Sequence, residues 1–114
     1  MNTPAATIEL TRQHCTPCET GGVPLGAERI AELLPTIPGW QHVNGEIAKT
    51  FSFKNYYQTM AFVNALAFVS HREDHHPDLE VGYNTCKVRY STHSVKGLSE
   101  NDFICAAKAE ALLG

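Results

Sequence analysis

Three histidines and one aspartate are the residues of this sequence whose types and spacing best suit chemistry. His75 and His76 directly precede Pro77, His93 lies 18 residues after His75, and Asp102 lies 27 residues after it. An imidazole titrates near pKa ~6.5, so a cluster can hold one protonated and one neutral ring at pH 7. Such a site can donate one proton and accept another. The group therefore indicates acid–base chemistry first and metal ligation second.

Each member of this group also has a structural interpretation when it is taken alone. His75 and His76 would fit a solvated helix end, where the helix dipole favours a cationic imidazole. His93 would fit a hydrogen-bonded residue at the end of a strand, and Asp102 would fit a capping box opened by Ser99. The spacing of the whole group is more specific than any single member, and it favours a common site.

The remaining candidate ligands are two cysteines near the N-terminus and further histidines. Cys15 and Cys18 form a Cys-x-x-Cys pair that could be a redox couple, a disulfide, or half of a zinc site with His14 as the nearest further ligand. Glycine and proline follow the pair where a thioredoxin-type motif would open a helix, so free thiols are favoured. His71 lies four residues before His75 and could share its helix face as a ligand pair, although a partly exposed helix residue is the better interpretation.

Length and composition limit the classes of protein that this chain can represent. Its 114 residues, 43% apolar and 18% charged, fit one domain with a real core. A net charge of −3 and a pI near 6.0 argue against direct nucleic-acid binding, for which a basic patch is typical. No apolar run reaches the ~20 residues of a membrane span, and the N-terminus lacks the pattern of a signal peptide. We therefore expect no membrane partner and a cytoplasmic location.

The pattern of apolar residues and turn signals predicts the elements that must position these side chains. Helices are predicted over residues 27–34, 56–73 and from 99 onward, and strands over 40–43, 46–53, 79–83 and 86–92. The order is α-β-β-α-β-β-α, an α+β fold in which two hairpins form a four-stranded antiparallel sheet with helices on one face. Residues 1–26 are expected to be a flexible N-terminal arm that carries the Cys-x-x-Cys, and residues 27–114 are expected to form the domain.

The predicted fold brings the reactive residues to one edge of the sheet. Pro77 disfavours helical geometry at His76, so the long helix should end near Asp74. The end of this helix and the strand end before His93 can then meet in a cavity. The apolar stripe of the helix is wide enough for burial by the sheet and by a second subunit.

The same motifs resemble the pterin-4a-carbinolamine dehydratase family. The resemblance covers residues 27–113 and rests on the His75-His76-Pro77 run, Tyr83, His93 and Asp102, on the frames Ser91-Thr92-His93 and Gly97-Leu98-Ser99-Glu100-Asn101-Asp102, and on the turn Pro38-Gly39-Trp40. One departure is His71, which stands where the family often has Glu. His71 is therefore carried over only as a candidate pocket residue.

The resemblance implies dehydration of a 4a-hydroxytetrahydropterin to the quinonoid dihydropterin, without a metal or redox cofactor. His75 and His93 are expected around the 4a hydroxyl, one of them as general acid, and His76 is expected as the base toward the ring nitrogens. Asp102 would orient an imidazole or raise its pKa. The expected substrate-binding residues are His75, His76, Pro77, Thr92, His93, Ser94 and Val95.

The resemblance also implies partners and leaves two other classes of function open. The family forms dimers and tetramers, so a homo-oligomer is expected, with a functional link to an aromatic amino acid hydroxylase whose pterin it would recycle. A second family role is that of a dimerisation cofactor for a homeodomain transcription factor in animals. A metal-binding or redox protein built on Cys15 and Cys18 is the other alternative. The complete set of histidines favours catalysis over both.

Overall fold

Four α-helices and four β-strands form the part of the chain that the computed structural model describes, residues 5–17 and 22–113. The helices are α1 (Ala5–Thr11), α2 (Ala27–Leu33), α3 (Tyr56–Glu73) and α4 (Glu100–Ala111), and the strands are β1 (Gln41–Val43), β2 (Glu46–Ser52), β3 (Asp78–Val81) and β4 (Thr85–Tyr90). Short 3-10 helices follow α2 at Leu34–Thr36 and β4 at His93–Val95. The predicted α+β class is confirmed, as is the predicted element order from residue 27 onward.

The strands form one antiparallel sheet in the order β1-β2-β4-β3. The turn between β1 and β2 is the predicted two-residue turn, because Asn44 and Gly45 both have positive φ angles, of 50° and 76°. In the central pair of strands Ile47 is opposite Tyr90 and Phe51 is opposite Cys86. All four of these side chains are buried and define the core face of the sheet.

A lysine on this core face is neutralised by a carboxylate from α4. Lys49 lies between Ile47 and Phe51 on the buried side of β2, and its ammonium pairs with Glu110. The same carboxylate oxygen of Glu110 accepts a hydrogen bond from Trp40 Nε1 at 3.0 Å. The charged residue that interrupts the apolar face in the sequence thus anchors α4 to the sheet.

Helix α3 buries one face and exposes the other. Its buried face runs along Phe62, Leu66, Ser70 and Glu73, so two polar residues continue the apolar stripe toward the end of the helix. Among the residues outside this face, Phe68 is 67% exposed. Cover by a second subunit therefore stays a prediction. No helix among the described residues, α3 included, combines the length and hydropathy needed to cross a membrane.

Helix α1 lies within the segment for which the sequence predicts only an arm. Leu10 joins the hydrophobic core and the Thr7 hydroxyl donates to the carbonyl of Thr36, so the segment is attached to the domain. Its seven residues are too few to produce a sustained apolar period, which explains why the pattern did not predict the helix. The boundary at residue 27 stays a prediction, and Cys18 lies outside the described residues.

Candidate active site

The chain reverses sharply where α3 ends, and this reversal sets the position of His75 and His76. Asp74 is the first residue past the helix and has a left-handed backbone, with φ 52° and ψ 44°. The amide of Asp74 bonds to the carbonyl of His71 at 3.3 Å, and the amide of His75 bonds to that of Ser70 at 3.1 Å. These two bonds form a Schellman motif, which normally places Gly or Asn at the left-handed position. His75 is therefore held by the helix end itself.

His75 is paired with Asp102 from the first turn of α4. The imidazole Nε2 lies 2.6 Å from Asp102 Oδ1, and the His75 side chain is 11% exposed while Asp102 is fully buried. The His75 ring also stacks on Tyr90, with ring centroids 5.9 Å apart and planes inclined by 9°. Both contacts restrict the orientation of the imidazole. The end of α3 therefore lies against the first turn of α4.

The second oxygen of the Asp102 carboxylate is held by two groups near the start of α4. Its Oδ2 accepts from the Ser99 amide at 2.9 Å and from the Thr92 hydroxyl at 2.8 Å. The Ser99 and Thr92 hydroxyls are 2.7 Å apart, and the predicted capping box of Ser99 and Asp102 is present. One carboxylate thus caps α4 through Oδ2 and contacts His75 through Oδ1. The capping role of Asp102 is therefore compatible with its contact to His75.

The surroundings of His75 raise its pKa above the ordinary value. Burial is the largest influence on this pKa and would lower it, because desolvation disfavours the cation. The hydrogen bond and the negative charge of Asp102 act in the opposite direction, with smaller contributions from Cys15 and Asp74, and together they prevail. His75 is therefore suited to hold a proton near neutral pH.

The three histidines of the motif line one cavity of about 270 Å³. His75, His76 and Pro77 line it from the loop that follows α3, and His93 and Ser94 line it from the 3-10 helix that follows β4. A main-chain bridge between Thr92 and Gly97, with Thr92 N to Gly97 O at 2.7 Å, closes the loop that carries His93. His76 and His93 are exposed, so a ligand can reach both rings.

A second cavity, of about 490 Å³, adjoins the first at His75. The two cavities share the lining residues Asp74, His75, Thr92 and Ser94. The larger one is also lined by Cys15, Thr16, Pro17, Glu73 and Asn101. The N-terminal segment therefore forms a wall beside the candidate site, which the sequence did not predict.

Two buried polar residues hold this N-terminal segment in place. Asn101 accepts from the Thr16 amide at 3.0 Å and donates to the Thr16 carbonyl at 2.7 Å. Glu73 accepts from the Cys15 amide at 2.8 Å, and its other oxygen lies 3.0 Å from His14 Nδ1. A carboxylate in line with the apolar stripe of α3 was the signal in the sequence that could have identified Glu73.

The pKa of Glu73 is lowered although its side chain is only 3% exposed. Burial alone would raise this pKa, because it disfavours the carboxylate. The hydrogen bonds from the Cys15 amide and His14, together with the Lys108 ammonium 3.8 Å away, outweigh burial. Glu73 thus remains ionised as the anchor of the segment.

Several predicted residues lie away from the cavities. His71 is exposed on α3, Val95 is buried, and neither lines the two cavities beside His75. Tyr83 is 66% exposed and stacks on Tyr56 with centroids 6.3 Å apart. Within residues 5–17 and 22–113, no group of three or more His, Cys, Asp or Glu side chains is arranged to hold a metal ion.

Comparisons with known proteins agree on one family. The family model described as pterin 4 alpha carbinolamine dehydratase matches residues 23–112. A protein of Nitrosospira multiformis, provisionally named pterin-4-alpha-carbinolamine dehydratase, is 59% identical over 91% of this chain and 92% of its own length.

Two solved structures are also similar. One, described as a transcriptional coactivator/pterin dehydratase from Brucella melitensis, has a TM-score of 0.77 and 32% identity over 80% of this chain and 99% of its own. The other, a pterin dehydratase-like protein identified as a RuBisCO assembly factor in the alpha-carboxysome, has a TM-score of 0.56 and 29% identity over 66% of this chain and 87% of its own. The three histidines and Asp102 lie inside the family match, whereas α1 and Cys15 lie before it.

Proposed function

Because the chain belongs to the pterin 4 alpha carbinolamine dehydratase family, we propose that it removes water from a 4a-hydroxytetrahydropterin and releases the quinonoid dihydropterin. The observation that carries this proposal is the cavity lined by His75, His76 and His93, in which His75 is paired with a buried carboxylate. The protein would thus be a hydro-lyase.

The reaction requires two proton transfers at neighbouring atoms of the pterin. The bond between carbon 4a and the hydroxyl oxygen breaks, and a proton delivered to that oxygen lets it leave as water. The lone pair on nitrogen N5 forms the new double bond to carbon 4a, and the proton on N5 is removed. Each positioned acid or base contributes roughly 10²–10⁴-fold to the rate. Imidazoles that line one cavity from two separate segments are suited to these two tasks.

We assign the general-acid role to His75. Its raised pKa supports protonation near neutral pH, and Asp102 balances the charge of the imidazolium. Because Nε2 is occupied by Asp102, Nδ1 is the nitrogen left for the leaving oxygen. His93 would lie on the same side of the substrate, near the 4a hydroxyl. His76, which is exposed in the same cavity, would accept the proton from the nitrogen side.

Some of the other predicted substrate-binding residues would contact the pterin, and the rest would hold the residues of the site in place. Pro77 and Ser94 line the histidine cavity and would contact the flat heterocycle. Thr92 also lines it, but its hydroxyl donates to Asp102, so its main task would be to orient that carboxylate. Val95 is buried and would hold the 3-10 helix of His93 against the core. His71 has no part in this proposal.

We also propose a metabolic link and self-association. An aromatic amino acid hydroxylase leaves its pterin as the carbinolamine, so this protein would act directly after such an enzyme. A homo-oligomer, as dimer or tetramer, is supported by Tyr57 and Phe68, which are 85% and 67% exposed on α3, and by the two edge strands of the sheet. Light scattering from the purified protein measures this state, and a monomer at micromolar concentration would contradict it.

A stopped-flow assay tests the proposed activity. The carbinolamine is generated in place by a hydroxylase, and its absorbance is followed with and without the purified protein. We expect a dehydration rate that increases in proportion to the protein concentration. A rate equal to the spontaneous one, at a protein concentration comparable to that of the substrate, would contradict the proposal. Near-stoichiometric zinc in protein purified without added metal would instead favour the metal-binding alternative.

A further inference from the structure

Two thiols that the proposed reaction does not use lie beside the larger cavity. The sulfur of Cys15 is 3.4 Å from the sulfur of Cys105 on α4, and it is 3.7 Å from the carbonyl of Asn101. Cys18 is the nearest cysteine to Cys15 in the sequence, but the structure places against Cys15 a cysteine 90 residues away. The sulfur atoms are already in van der Waals contact.

The two cysteines differ in their access to solvent. Cys15 is half-buried and lines the cavity of about 490 Å³, so a reagent in this cavity lies next to Cys15. Cys105 is completely buried. A reagent would therefore meet Cys15 first, and Cys105 would react only with a sulfur that Cys15 presents to it.

The electrostatic surroundings favour Cys15 as the nucleophile. The hydrogen bond from the Cys105 thiol is the main cause of a lowered pKa at Cys15, against burial, which raises it. The positive charges of His75 and Lys108 act in the same direction as the hydrogen bond. The same contact between the two thiols raises the pKa of Cys105. The thiolate is the reactive form of a cysteine, so attack should start at Cys15.

The sulfur atoms of Cys15 and Cys105 need only a local adjustment to form a disulfide bond. A disulfide has a sulfur–sulfur distance of about 2.05 Å, so the two atoms must approach by about 1.4 Å. Cys105 is fixed within a helix, whereas Cys15 lies in the segment that follows α1 and precedes residue 18. Because Glu73 and Asn101 hold the backbone at Cys15 and Thr16, rotation of the Cys15 side chain must supply most of this movement.

We propose that Cys15 and Cys105 are a redox-active pair, which a low-molecular-weight disulfide such as glutathione disulfide converts into a disulfide that ties the N-terminal segment to α4. In the first step the Cys15 thiolate attacks one glutathione sulfur, and the other glutathione leaves as a thiolate and takes up a proton from water. In the second step Cys105 attacks the Cys15 sulfur, the second glutathione leaves, and it takes the Cys105 proton. Two protein thiols are oxidised and one glutathione disulfide is reduced to two glutathiones.

Cys86 provides an internal comparison. It is completely buried on the core face of β4, and burial alone raises its pKa. It does not line the cavity that gives access to Cys15. Cys86 should therefore remain reduced under conditions that oxidise the proposed pair.

Peptide mapping of the full-length protein tests this proposal. The reduced protein is equilibrated with glutathione buffers of increasing disulfide content, free thiols are alkylated, and the protein is digested with trypsin. Cleavage after Arg12, Arg29, Lys96 and Lys108 separates a peptide 13–29 from a peptide 97–108. We expect these two peptides to become cross-linked as the buffer is made more oxidising, with the loss of two thiols per chain and with Cys86 alkylated throughout.

Single substitutions assign the bond to its cysteines. Cys18→Ser, which keeps both members of the pair, should leave the cross-link intact. Cys15→Ser and Cys105→Ser should each abolish it. The proposal is wrong if the wild-type protein forms mainly a disulfide inside peptide 13–29. It is also wrong if Cys18→Ser yields only a mixed disulfide of Cys15 with glutathione or stays reduced.

Discussion

The Nε2 atom of His75 lies 2.6 Å from Oδ1 of Asp102, whose other oxygen caps helix α4 through the Ser99 amide. The same carboxylate therefore fixes the start of a helix and the charge of an imidazole. Because α4 is packed against the sheet, the position of Asp102 is set by the core and not by the ligand. The candidate acid is thus oriented before any substrate arrives.

Removal of the negative charge of Asp102 should lower the pKa of His75. In Asp102→Asn the amide oxygen can still accept from Ser99, but the negative charge that offsets burial of the imidazole is lost. We expect the His75 pKa to fall below its wild-type value in a titration followed by NMR of the ring protons. Ser99→Ala is the control, since it weakens the cap and retains the carboxylate. An unchanged His75 pKa in Asp102→Asn would show that another group sets it.

The raised pKa of His75 predicts how its contribution to stability depends on pH. A group with a higher pKa in the folded state stabilises the protein fully below its unfolded pKa, which is ~6.5 for histidine. This contribution disappears as the pH increases through the folded pKa. The stability difference between wild type and His75→Gln, measured by urea unfolding, should therefore decrease from pH 6 to pH 9. A difference that increases over this range would contradict the pairing with Asp102.

The contribution of Glu73 to stability should depend on pH in the opposite direction to that of His75. Its lowered pKa means that its contribution is present above the unfolded pKa of ~4.3 and is lost as the pH falls through the folded value. We expect Glu73→Gln to cost about 1–3 kcal/mol of unfolding free energy near neutral pH, as removal of a buried charged hydrogen-bond partner does. The matched control is Glu100→Gln, because Glu100 pairs with Arg29 at the surface, where a single ion pair contributes little. Equal costs for the two variants would contradict the anchoring role of Glu73.

The left-handed backbone of Asp74 predicts an unusual tolerance of glycine. The left-handed conformation costs a residue with a Cβ roughly 1–2 kcal/mol of free energy, whereas a glycine adopts it without this cost. Asp74→Gly should therefore be at least as stable as Asp74→Ala, and more stable by about 1 kcal/mol if the helix end is unchanged. Thermal unfolding of the two variants measures this difference. A glycine variant less stable than the alanine variant would contradict the observed geometry.

Local signals made most of the fold predictable. The helix over 56–73 has the predicted bounds, and the Asn44-Gly45 turn and the capping box at Ser99 follow from rules that involve residues close in sequence. The last hairpin was predicted less well, because β3 ends at Val81 and not at residue 83. The amide of Gly82 already bonds to the carbonyl of Thr85 at 2.8 Å, so the turn begins earlier than the apolar pattern indicates.

The parts of the site that the sequence did not predict depend on contacts between distant residues. Asn101 holds Thr16, which is 85 residues away, and Cys105 contacts Cys15 across 90 residues. No periodicity or spacing rule relates such pairs. These pairs come into contact only because α1 and α4 pack together and bring the N-terminal segment to the edge of the cavity.

The catalytic role of the three histidines can be measured as the efficiency of single histidine variants in the dehydration assay. Replacement of His75, His76 or His93 by Ala should each lower kcat/KM by about 10²–10⁴-fold, as loss of a positioned acid or base does. His42→Ala is the matched control, because His42 is exposed on β1 and lines neither cavity beside His75. We expect wild-type efficiency for the control and a folded protein with low efficiency for each of the other three variants. Turnover close to wild type in both His75→Ala and His76→Ala would contradict it.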